Sequence, residues 1–158
     1  MPTDTWEFLS YVVTVLGLPL AVVVFLYEKR KERAAEEEEV YESLSSRYQD
    51  FLKLALENPD LRLLSRTRTT DLNAEQRERM QAIFGLLIAL FERAYLILYE
   101  TDLGGKQARR WRSWEDFMQE WCDREDFRAA MPELLVGEDP EFAAYMKTLA
   151  DAADNARH

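Results

Sequence analysis

Residues 15–39 read VLGLPLAVVVFLYEKRKERAAEEEE, an apolar run that ends at Tyr27 and gives way at once to a block of charge. Extended toward the N-terminus, the uncharged stretch covers residues 8–27, FLSYVVTVLGLPLAVVVFLY. As an α-helix it would be about 30 Å long, one hydrocarbon thickness. A cleavable signal peptide needs a basic N-terminal flank, a shorter apolar core and a small-residue cleavage site. Here the flank carries Asp4 and Glu7, and the run is followed by YEKRKER. The expectation is therefore a membrane-spanning helix over residues 8–27, with Asp4 and Glu7 spaced as an N-cap and its N3 partner.

Charge sets the orientation. Lys29, Arg30, Lys31 and Arg33 follow the run and no basic residue precedes it. The positive-inside rule then leaves the N-terminus outside and the C-terminal domain in the cytoplasm. Trp6 and Tyr27 fall at the two interfaces, where amphipathic rings prefer to lie. Within the run, Ser10, Thr14, Gly17 and Ala21 recur at spacings that place four small residues on one helical face. Small residues let helix backbones approach closely in lipid, so this face is a candidate self-association seam, with Pro19 adding a bend.

Residues 28–40 are almost all charged, with Ala34 and Ala35 the breaks in the run up to Glu39. Good helix formers without an apolar face give a solvated helical stalk. An amphipathic pattern follows: Tyr41, Leu44, Tyr48, Phe51, Leu52, Ala55 and Leu56 recur at three and four. Asn58 precedes Pro59, so this helix should stop near Glu57. SRTRTTDLN has no periodicity and reads as a loop. Asn73 with Gln76 has capping-box spacing.

The segment MQAIFGLLIALFERAYLILYE, residues 80–100, is apolar enough to resemble a second span. Glu92 and Arg93 at its middle oppose insertion and mark a bundle's central helix. Glu92 and Arg93 are a candidate internal ion pair, with Arg109, Arg110 or Arg112 as further partners for Glu92. Ala82, Gly85, Ala89 and Arg93 make a small side where another helix could approach. Beyond Gly104–Gly105, Trp111, Trp114, Phe117, Met118 and Trp121 share one face. Trp111, Trp114 and Trp121 are a candidate aromatic groove for a ligand or partner, although core packing is the commoner use of such a face. Ser113 and Asp116 would cap a helix there if the segment were broken. Asp139–Pro140 opens a last helix with Phe142, Tyr145, Met146 and Leu149 on its apolar stripe. No strand pattern and no repeat is visible. The fold class is all-α: one N-terminal transmembrane helix (1–27 with its tip), a charged stalk (28–40) and a cytoplasmic bundle of four or five helices (41–158).

The net charge is −10, and all basic residues together with all acids but Asp4 and Glu7 lie from residue 28 onward. That balance disfavours nucleic acid, whose binding requires clustered positive charge. Cys122 is the one cysteine and His158 the one histidine. The thiol cannot form an internal disulfide and has no nearby histidine to activate it. No zinc-ligand spacing, EF-hand or phosphate loop occurs. The expectation is no cofactor, no resident metal and no catalytic residues.

The strings GLPLAVVVFLYEKRKER, LFERAYLILYE, RRWRSWEDFMQEWCDREDF and PELLVGEDPEFAAYM, with EEEEVYESLSSRYQDFLKLALENPDL between the first two, resemble a group of bacterial single-pass membrane proteins across nearly the whole chain. The resemblance implies a bacterial inner-membrane location and a helical cytoplasmic domain; it carries no activity and no catalytic residues. The functional expectation is a non-enzymatic membrane-anchored module that self-associates, docks an unidentified cytoplasmic protein, or both. A homo-oligomeric ion channel or membrane-permeabilising effector, lined by Ser10, Thr14, Gly17 and Ala21, is the alternative. An enzyme would need a metal held by carboxylates alone.

Overall fold

Apolar residues at spacings of three and four, two proline punctuation points and two polar caps give five α-helices among the described residues. The computed structural model describes the backbone of residues 3–99 and 104–156, and the side chains in those ranges from residue 19 onward. All of the described secondary structure is helical, with no strand among the described residues. The helices are α1 (Thr3–Glu57), α2 (Ala74–Leu98), α3 (Gly105–Cys122), α4 (Glu125–Leu134) and α5 (Pro140–Asn155). A 3₁₀ turn, Pro59–Leu61, follows α1. The chain divides into two compact units, Met1–Ser43 and Leu44–His158.

The first unit is a single stretch of α1. Its helical backbone runs through Pro19 without a break. Every side chain from Leu20 to Tyr27 is exposed, although nearly all are large and apolar. Residues 28–40 continue as helix and are exposed apart from Glu38, which is half-buried. The seam residues Ser10, Thr14 and Gly17, the Trp6 interface ring and the Asp4–Glu7 cap lie outside the described side chains.

The second unit is organised by α2. One face of α2 buries Met80, Ile83, Phe84, Leu87, Ile88, Phe91, Ala94 and Tyr95. Against it pack α3, α4 and α5, and α3 in turn packs on α4 and α5. The end of α1 joins through long aromatic side chains. Tyr48 stacks on Phe117 at 4.3 Å between ring centroids and meets Trp114 edge-on at 5.8 Å. Phe51 meets Trp121 edge-on at 5.4 Å. Edge-to-face and offset pairs of this kind add to the stabilisation from area buried alone.

Local chemistry explains most boundaries. α1 ends at Glu57, where Asn58 stands before Pro59. α2 opens with a complete capping box: Asn73 Oδ1 accepts the Gln76 N–H at 2.8 Å, and Gln76 Oε1 accepts the Asn73 N–H at 3.0 Å. α5 opens at Asp139–Pro140, and Asp139 Oδ1 accepts the N–H groups of Glu141 and Phe142. The turn before it uses Gly137 at φ +94°, a conformation that a side chain would strain. The condition for a cap at Ser113 or Asp116 is not met. α3 is unbroken through Ser113 and Asp116, and the Ser113 hydroxyl donates back to the Arg109 carbonyl instead of capping.

Hydropathy alone also gives an incomplete answer. α2 is long and apolar enough to cross a membrane, with a mean hydropathy of 1.7 over its richest window. Close to half of that window, 44%, is packed inside the bundle, as in the core helix of a globular domain.

Candidate functional site

One of the faces singled out by the sequence is structural. Trp111, Trp114 and Trp121 are all buried and point into the core. Trp114 lies edge-on to Phe91, and Trp121 edge-on to Phe84. Trp121 Nε1 donates to the Tyr48 hydroxyl at 3.2 Å, which satisfies a donor that burial would otherwise strand. The aromatic face is thus mainly packing between α1, α2 and α3, although Trp121 also borders a cavity of about 290 Å³ beside Phe117, Leu63 and Arg124.

Glu92 and Arg93 diverge. Arg93 is exposed. Glu92 is half-buried and reaches the turn before α5, where its Oε1 accepts the Asp139 N–H at 2.5 Å. Its other partner is Glu138, rather than Arg109, Arg110 or Arg112. The hydrogen bond with Glu92 holds the Glu138 carboxyl above the usual glutamate range, because two adjacent carboxylates resist ionising together. The residues are neighbours in sequence, but on a helix adjacent positions point about 100° apart.

The membrane-orienting charges Lys29, Arg30, Lys31 and Arg33 are exposed on α1. Lys29 Nζ lies 5.8 Å from the centre of the Phe25 ring. Ala21, the described member of the small-residue seam, is exposed.

The strongest polar cluster was not anticipated. Arg124 is 2% exposed and serves as a hub. Its Nη1 donates to the carbonyls of Arg62, Leu63 and Ser65 at 2.9, 3.1 and 2.5 Å. Its Nε and Nη2 fork onto Asp126 at 3.0 and 2.6 Å. Asp126 Oδ2 also accepts the Thr69 N–H at 3.1 Å. One buried guanidinium thus clamps the loop over residues 62–73, together with buried Leu63 and the Thr69 hydroxyl bonded to the Leu61 carbonyl. Arg62 and Asp71 sit at φ 47° and 62°, left-handed conformations that cost a non-glycine residue and persist where surroundings over-determine them. The DRED string carries the only sequence signal for this hub, and it says nothing about carbonyls some sixty residues away.

Cys122 is buried, and burial pushes its thiol up to about 12. Burial and the Glu115 carboxylate, which accepts from the Tyr145 hydroxyl, likewise push the Tyr145 phenol up. Among the described residues, no three His, Cys, Asp or Glu side chains converge.

Among several open features is a groove of about 420 Å³ between the end of α1 and α2. Arg47, Asp50, Phe51 and Leu54 form one bank, and Leu86, Ala89, Leu90 and Arg93 form the other. The groove holds cations and one acid along an apolar floor, which suits it to a helix or another extended apolar surface.

The chain matches no protein-family model, no curated protein and no solved structure.

Proposed function

We propose that this protein is a non-enzymatic, membrane-anchored helical module of the bacterial inner membrane, which self-associates and presents its cytoplasmic domain to a protein partner. The observation that carries this reading is the exposed apolar segment Leu20–Tyr27, in helical backbone, closely followed by Lys29, Arg30, Lys31 and Arg33. Apolar residues uncovered on every side of a helix lower their free energy by entering lipid, and a basic flank on one side fixes the direction. The bundle supports the remainder: its tryptophans are packed, Arg124 is engaged in clamping a loop, and an apolar-floored groove stays open between the end of α1 and α2. No nucleic acid, cofactor or metal enters the proposal.

Membrane fractionation tests the reading. The full chain should stay with membranes through alkaline carbonate extraction, and Val23→Asp with Phe25→Asp should move it to the soluble fraction. Full retention of that double variant would contradict an anchor in this segment. Planar-bilayer recording separates the module from the channel alternative: the module is silent, whereas unitary conductance steps would favour a pore lined by the Ser10–Ala21 face.

A further inference from the structure

The outer face of α2 is patterned along its length. Glu75, Glu78, Ala82, Leu86, Ala89, Arg93 and Leu96 lie within one face of the helix and are all exposed. Leu86 and Leu96 are each 58% exposed, which is high for large apolar side chains on the central helix of a bundle. The order is acidic, then small and apolar, then basic. Among the described residues, neither Glu78 nor Arg93 has a partner in its own chain.

We infer that this face is a homodimer interface, in which α2 of a second copy packs antiparallel across a two-fold axis near Gly85 and Leu86. In that register Glu78 meets Arg93 of the second copy, and Ala82 meets Ala89. Leu86 lies beside the axis, where its exposed side chain can be covered by the second copy. A two-fold interface must be complementary to itself, and an acid-to-base gradient is self-complementary only when antiparallel. Chains of net charge −10 repel one another, so association needs a local pairing of this kind. The groove bordered by Arg47, Phe51 and Leu54 adjoins the same face and widens the apolar area available to the second copy. A lipid surface is a poorer occupant, since Glu75, Glu78 and Arg93 lie on the stripe itself.

The inference rests on the self-association reading, and the test separates the two. The full chain carrying Leu86→Cys is reconstituted in nanodiscs and treated with a short bis-maleimide. Cys122, buried with a poorly ionised thiol, stays silent. Covalent dimers are expected. Glu78→Arg or Arg93→Glu should each cut their yield about fivefold or more, and the two together should restore it. Both positions are exposed and unpaired, so the thermal transition should not move. Absence of cross-linking, or a yield indifferent to both reversals, would overturn the inference. Native mass spectrometry of the same particles then gives the second answer: dimers would keep self-association and place it elsewhere, and monomers would remove both.

Discussion

Two helical segments of this chain are apolar enough to suggest a membrane, and their surroundings differ. From Leu20 to Tyr27 every side chain of α1 is exposed, and no residue breaks the apolar character. In α2, one side is packed against three helices, and the other carries Glu75, Glu78 and Arg93 among its small residues. Hydropathy measures the average composition of a helix, whereas its environment is decided by how the composition is distributed around the axis. Under the proposed anchor the evenly apolar segment lies in lipid, whereas a helix with a charged stripe suits a protein core on one side and a wet or partnered surface on the other.

The largest effects come from exchanging damage between these segments. Phe91→Ala, at a side chain with no exposure, should cost the bundle about 3–5 kcal/mol, read as a lowered midpoint in chemical denaturation. Val23→Asp, at a side chain 62% exposed, should leave that midpoint within about 0.5 kcal/mol and alter only membrane retention. A shared response would erase the distinction. Next in size is Arg124→Met, which strands three loop carbonyls and the Asp126 carboxylate at about 3 kcal/mol, with protease cuts appearing between residues 62 and 73. Asp139→Ala removes the α5 cap and should cost about 1 kcal/mol.

The smallest effect is a pH dependence at the α4–α5 turn. Glu138 holds its proton more tightly in the folded chain than in the unfolded one, where its value is the ordinary 4.5. The folded state therefore gains stability below the raised value and loses it as pH climbs from 4.5 through that value. Glu138→Gln should flatten that slope and raise stability slightly at neutral pH. A steeper slope in the variant would contradict the raised value of Glu138.

Much of the architecture was legible because it is local. Asn58–Pro59, the Asn73–Gln76 box and Asp139–Pro140 each act within three residues, and they stop or start helices where the sequence implies. The three tryptophans fall on one face by helical spacing, yet spacing cannot say whether a face meets core or ligand; Tyr48, Phe51, Phe84 and Phe91 decide that from other helices. Glu92 was misassigned because a carboxylate near a run of arginines looks paired in one dimension. Its partners are a backbone N–H and an acid in the turn before α5. Arg124 was missed for the same reason, since carbonyl acceptors leave no trace in side-chain identity.

The central claim is that the charged stretch of α1 separates a lipid-seeking helix from a domain that folds for its own reasons. Trypsin acting on proteoliposomes at Lys29–Arg33 tests it most directly, with the released fragment followed by circular dichroism. The account predicts a soluble fragment that stays helical and melts in one cooperative transition. A fragment that remains on the vesicles, or melts without cooperativity, would contradict it.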